Sequence, residues 1–120
     1  MKINFSLGKE WGELKKFEKL SDDERSVVFY AENIASMNHF RLLIDHLTKI
    51  MNLNICYVTS VKDDPIFSTI NKNIFPFYIG DGTARTKFFL TLKAKILIMD
   101  MPDLETFHIK RSKMYNVHYI

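Results

Sequence analysis

The residues able to do chemistry fall into a few groups, each with a bland alternative. Gly80-Asp81-Gly82, followed by Thr83, has the form of an anion-cradling turn, because free backbone N–H groups at a helix start attract phosphate. A tight turn carrying an Asp is the competing reading. A dinucleotide fingerprint needs three glycines after the first strand, whereas here two follow the third, which argues against NAD binding of the Rossmann type. Lys110, Arg111 and Lys113 form the densest basic cluster, beside Ser112 and Tyr115. Arg forks onto phosphate oxygens, so the cluster suits a phosphate-bearing substrate, and it suits a solvated loop equally. His39, His46, His108 and His118 lack metal-ligand spacing, and His39 and His46 sit two helical turns apart, too far to grip one ion. They read as surface or half-buried imidazoles. The single cysteine, Cys56, excludes an intrachain disulfide and a cysteine zinc site, and its apolar surroundings mark it as a buried, inert thiol. No metal or cofactor is expected.

Positioning such groups needs a scaffold, and the apolar runs define one. Val27–Glu32, Asn54–Ser60, Ile74–Gly80 and Lys95–Asp100 are apolar almost throughout, the pattern of strands buried on both faces, and Val117–Ile120 reads as a fifth. Pro76 puts the third strand at an edge. Ser36–Met51 carries an apolar stripe of helical period that stops at Asn52, and Thr83–Leu92 is a second helix with Thr83 as N-cap. Short helical turns are predicted after Pro65 and over Leu104–Lys110. Alternating strands and helices imply right-handed crossovers and a mostly parallel five-stranded sheet, a three-layer Rossmann-like α/β domain of order 3-2-1-4-5. Residues 1–22 form an N-terminal amphipathic segment and residues 23–120 the domain proper. Trp11, Leu14 and Phe17 recur at three-residue intervals, so this first helix packs on its own domain or docks on a membrane surface or partner.

In such sheets ligands bind outside the carboxyl ends of the strands. This rule selects Glu32, Asn33, Ser36 and His39 after the first strand, Asp81, Gly82 and Thr83 after the third, and Asp100 to Asp103 after the fourth. Composition narrows the classes. A hydrophobic share of 47% and a charged share of 26% are globular values, and a net charge of +3 is compatible with an anionic ligand without demanding one. The lysines are too scattered for a nucleic-acid interface. No stretch reaches the length of a membrane span, and no secretory signal opens the chain, so the cytoplasm is the expected compartment.

Leu97–Ile120 (LIMDMPDLETFHIKRSKMYNVHYI) resembles a segment of the bacterial CDP-glycerol glycerophosphotransferase family, which builds teichoic-acid-type wall polymers. The shared features are Met101–Leu104, Thr106–Ser112 and Val117–Tyr119, with Val28–Glu32, Asn38–Phe40, Tyr57–Ser60 and Tyr78–Thr83 followed by Arg85-Thr86 upstream. The resemblance implies the N-terminal, acceptor-side half of a GT-B transferase. Its partner would be a C-terminal nucleotide-binding domain beyond Ile120, and its acceptor a polymer or lipid-linked chain. The implied catalytic histidine also lies beyond Ile120, so no catalytic residue is assigned here and the 120 residues alone are expected to be inactive. The substrate-side candidates are Glu32, Asn33, Asp81, Gly82, Thr83, Asp103, Lys110 and Arg111. Members of the family it resembles commonly carry Gly where Asn33 stands, which bears on how closely an acceptor can approach the backbone. Ribitol-phosphate or sugar transfer, and a non-catalytic docking module, are the alternatives. Peripheral contact with the inner face of the cell membrane and self-association along an unpaired Val117–Ile120 edge are further expectations.

Overall fold

The computed structural model describes residues 4–100, 112 and 117–120. Five parallel strands, β1 (Val27–Ala31), β2 (Ile55–Thr59), β3 (Ile74–Tyr78), β4 (Ile96–Met99) and β5 (His118–Tyr119), form one sheet of order β3-β2-β1-β4-β5. Three helices accompany it: α1 (Asn4–Glu18), α2 (Ser36–Asp45) and α3 (Thr83–Thr91). The architecture is a Rossmann-like α/β domain with an all-parallel sheet. Each strand lies within the apolar run that predicts it, because residues such as Val28, Phe29, Tyr30 and Ala31 are buried whichever face they point to.

Two cores follow from the two faces. Val28 and Tyr30 of β1 with Cys56 and Val58 of β2 join Leu14, Phe17, Phe88 and Phe89 from α1 and α3. Phe29 and Ala31 with Ile55 and Tyr57 join Phe40 and Ile44 from α2, and Ile66. The period-two alternation along β1 and β2 is therefore intact even though every position is apolar. Cys56 is fully buried, and desolvation pushes its thiol up to about 12, as expected of an inert core cysteine.

The first helix begins at Asn4 and spends its stripe on the domain. Leu14 and Phe17 are buried, and Phe17 meets Phe77 at 5.7 Å and Phe88 at 5.3 Å, both edge-on. Burying these two side chains is worth about 3–6 kcal/mol before entropy. The helix also closes the sheet edge. Ile79 N–H donates to Thr59 of β2, so by alternation Ile74, Pro76 and Tyr78 face away from the sheet. Ile74 N–H donates to the Asn71 carbonyl, Pro76 has no N–H, and Tyr78 N–H donates to the Glu13 carboxylate at 3.3 Å. The outward donors of the β3 edge are thus each occupied or absent.

Two local expectations are corrected. The helix predicted as continuous over Ser36–Met51 is α-helical only to Asp45 and continues as a π-helical turn, His46–Ile50. Thr48 lies inside that turn, its hydroxyl donating back to the Ile44 carbonyl at 2.8 Å. Asn52 ends the turn in the left-handed conformation, φ 56°, and accepts from Asn73, which also donates to the Thr48 carbonyl. Thr83 is the first helical residue of α3 rather than its cap; Gly82 holds the cap position and no side chain caps it. The short turn after Pro65 is present as a 3-10 turn, Pro65–Ser68, whereas the turn predicted over Leu104–Lys110 lies outside the described residues.

Candidate functional site

The chain leaves β1 toward β2 and β3 on one side, then returns through α3 to β4 and β5 on the other. The strand order reverses between β1 and β4, and the loops there face each other. Met99 of β4 pairs with Tyr30 of β1, which brings Asp100 level with the start of the β1–α2 loop. Asp100 is the centre of a small polar group. Ser36, buried in the first turn of α2, donates to its Oδ1 at 3.3 Å. His39, one turn further and exposed, lies with Nε2 3.9 Å from its Oδ2. The Asn33 N–H donates to the Ser36 hydroxyl at 3.4 Å, tying the loop to the helix. Nearby, the Tyr57 hydroxyl is buried without a hydrogen-bond partner among the described residues. Desolvation first, then the charges of Asp64 and Asp100, hold its pKa above the ordinary phenol value.

Glu32, at the end of β1, has different partners. Its Oε1 accepts from the Tyr30 hydroxyl at 2.9 Å and from Arg85 Nη1 at 3.2 Å. Arg85 comes from the first turn of α3 and is only 8% exposed. The Tyr30 hydroxyl also bonds Ser60 at 2.5 Å, and Ser60 donates to the Gly80 carbonyl at 2.6 Å. One network therefore ties together the ends of β1, β2 and β3 and the start of α3. Burial pushes the Tyr30 phenol up to about 12, so Tyr30 stays protonated and can donate to Glu32. Glu32 is the counter-charge of a buried guanidinium, which the sequence alone does not disclose.

Asp81, Gly82 and Thr83 are exposed at the entrance to α3, and the turn's special backbone belongs to Gly80, at φ 66°. A side chain there would also collide with the Glu10 carboxylate of α1. The features that build the turn are those of a tight corner beneath a neighbouring helix. Asp103, Lys110 and Arg111 lie outside the described residues. Within the described residues no group of three His, Cys, Asp or Glu could hold a metal ion, and no helix is long and apolar enough to cross a membrane.

The structure thus brings Ser36, His39 and Asp100 together, residues that the strand-end rule points to but that spacing does not join. It also reveals Arg85, whose signal is topological: a helix returning from β3 to β4 must pass over the end of β1, so its first charged residue meets Glu32. No family model matches the chain, and no curated protein or solved structure is significantly similar to it.

Proposed function

We propose that this domain is the acceptor-side half of a GT-B-type transferase that moves glycerol phosphate from CDP-glycerol onto a wall or capsular polymer. The observation that carries the reading is the Ser36–His39–Asp100 group at the reversal of strand order. A poly(glycerol phosphate) acceptor presents hydroxyls and phosphodiesters. Asp100 accepts a hydrogen bond from a hydroxyl, while His39, 67% exposed at its side chain, donates to a phosphate oxygen. Ser36 fixes the Asp100 carboxylate from the helix below. The sequence resemblance over Arg25–Ile120 supplies the reaction class, and the Rossmann-like sheet of order 3-2-1-4-5 supports the scaffold. On this reading the donor nucleotide and its diphosphate are held by a second domain, because transfer needs a base and stabilisation of the leaving diphosphate in addition to a positioned hydroxyl.

Titration of short poly(glycerol phosphate) into the 15N-labelled chain tests it. The expected result is chemical-shift change at Ser36, His39 and Asp100, with binding weakened at least about tenfold by Asp100→Asn, the loss of one charge-assisted hydrogen bond. Binding that is indifferent to Asp100→Asn and His39→Ala overturns the reading. So does turnover of CDP-glycerol by the 120 residues alone.

A further inference from the structure

A concavity lies away from the switch point, between α1 and the segment that follows β2. Its volume is 440 Å³, within the range of small-ligand sites. It opens at the carboxyl ends of β2 and β3, since Lys62 and Asp63 follow β2 closely and Tyr78 ends β3. Its α1 wall is fixed in place. Glu13 accepts from Tyr78 N–H, the Tyr78 hydroxyl donates to Glu10 at 3.4 Å, and Glu10 packs on Gly80 where no side chain intervenes. A cleft whose walls are already held loses little freedom on binding.

The lining groups divide into those already engaged and those that are not. Glu13 is held by Lys16 and Tyr78, and Asp64 accepts from the Thr59 hydroxyl and Ile66 N–H. Among the described residues, Lys62 and Asp63 make no side-chain hydrogen bond or ion pair. The Lys9 ammonium rests only over the Tyr78 ring, 5.8 Å from its centroid. Phe67, which lines the cleft, is 41% exposed. The groups without a hydrogen bond or ion pair among the described residues are therefore two ammonium groups and one carboxylate, beside one partly exposed aromatic ring.

We propose that this cleft binds a nucleoside monophosphate, a site separate from the acceptor group at Asp100. The base stacks on Phe67, the ribose hydroxyls donate to Asp63, and the phosphate lies between Lys9 and Lys62. A bare anion would leave the Phe67 face and the Asp63 carboxylate unmatched. A purely apolar ligand would leave both ammonium groups unmatched. A ligand with a flat ring, a polyol and an anionic end matches all of them.

The experiment is a titration of AMP and CMP, with ribose 5-phosphate and adenosine as partial probes, read by 15N chemical shifts and calorimetry. Expected are shifts at Lys62, Asp63, Phe67 and Tyr78, and a loss of at least about fivefold in affinity in Phe67→Ala, the low end for one base–aromatic stack. Lys9→Ala combined with Lys62→Ala should remove the salt dependence of binding. These side chains lie at the surface, so the variants keep the fold, which circular dichroism verifies. Absence of shifts with millimolar AMP and CMP overturns the proposal. Equal affinity for ribose 5-phosphate and AMP does so as well, because it reduces the site to a cation patch. Asp100→Asn leaves nucleotide binding unchanged, so this proposal and the acceptor reading fail separately.

Discussion

The Glu32–Arg85 contact makes the sharpest prediction, because it decides whether the most prominent acid at the strand ends binds ligand or holds the fold. Glu32→Gln keeps the shape and removes the charge. Fully buried pairs lose about 3–5 kcal/mol when one partner is removed, and exposed pairs about 0–1 kcal/mol. Here Arg85 is 9% exposed at its side chain and Glu32 37%, so water reaches one side of the pair only. The expected cost is intermediate, about 1.5–3 kcal/mol. Arg85→Met should cost a similar amount, since it strands the Glu32 charge and one Tyr30 hydrogen bond. The double variant should cost less than the sum by about 1 kcal/mol or more, the coupling of two groups that touch. Urea unfolding at neutral pH, followed by circular dichroism with shared m-values, measures all four species. Additivity within about 0.3 kcal/mol would show that Glu32 and Arg85 do not stabilise each other, and the structural role assigned to Glu32 would fall.

Two further predictions concern the core. Phe17→Ala should destabilise the domain by about 3–5 kcal/mol, since it empties a site packed by Phe77 and Phe88 and loosens α1; thermal unfolding measures it, and a loss below about 1 kcal/mol would mean that α1 is not docked. Alkaline pH should destabilise the chain through Cys56 and Tyr30, both held protonated by burial. Their folded pKa values lie above the unfolded ones, so the stabilisation is whole below about pH 9 and is lost as pH rises toward 12. Cys56→Ala should flatten the slope of stability against pH between 9 and 12, and an unchanged slope would refute the assignment.

The strands were legible in the sequence because a strand buried on both faces leaves a continuous apolar run that little else produces at that length. Strand order was legible by the analogy of doubly wound sheets, and the β3 edge by Pro76. The π-helical turn was not, because it sits on a Thr48 hydroxyl that can return to the chain or point to solvent with the same apolar periodicity. The candidate site was legible as loops and illegible as contacts. Ser36 and Asp100 are 64 positions apart and Glu32 and Arg85 are 53 apart, so only the register of β1 against β4 and the return path of α3 make them neighbours. Spacing in the sequence does not mark Arg85 as buried, whereas the fold buries it.

The same limit governs α1. Trp11, Leu14 and Phe17 favour packing on the chain's own domain, but their periodicity also suits a membrane surface or a partner. The choice is made by the sheet. β3 is an edge strand, and an edge with open N–H groups invites pairing with other chains. Pro76 removes one donor and Asn71 takes another, which leaves Tyr78. Tyr78 N–H is occupied by an acceptor brought from elsewhere in the chain, which α1 delivers as Glu13. Glu10 and Glu13, which stand between the apolar positions of the helix, are therefore the residues that fit this helix to this edge. Leu14 and Phe17 give the docking its energy, and the two carboxylates give it its place.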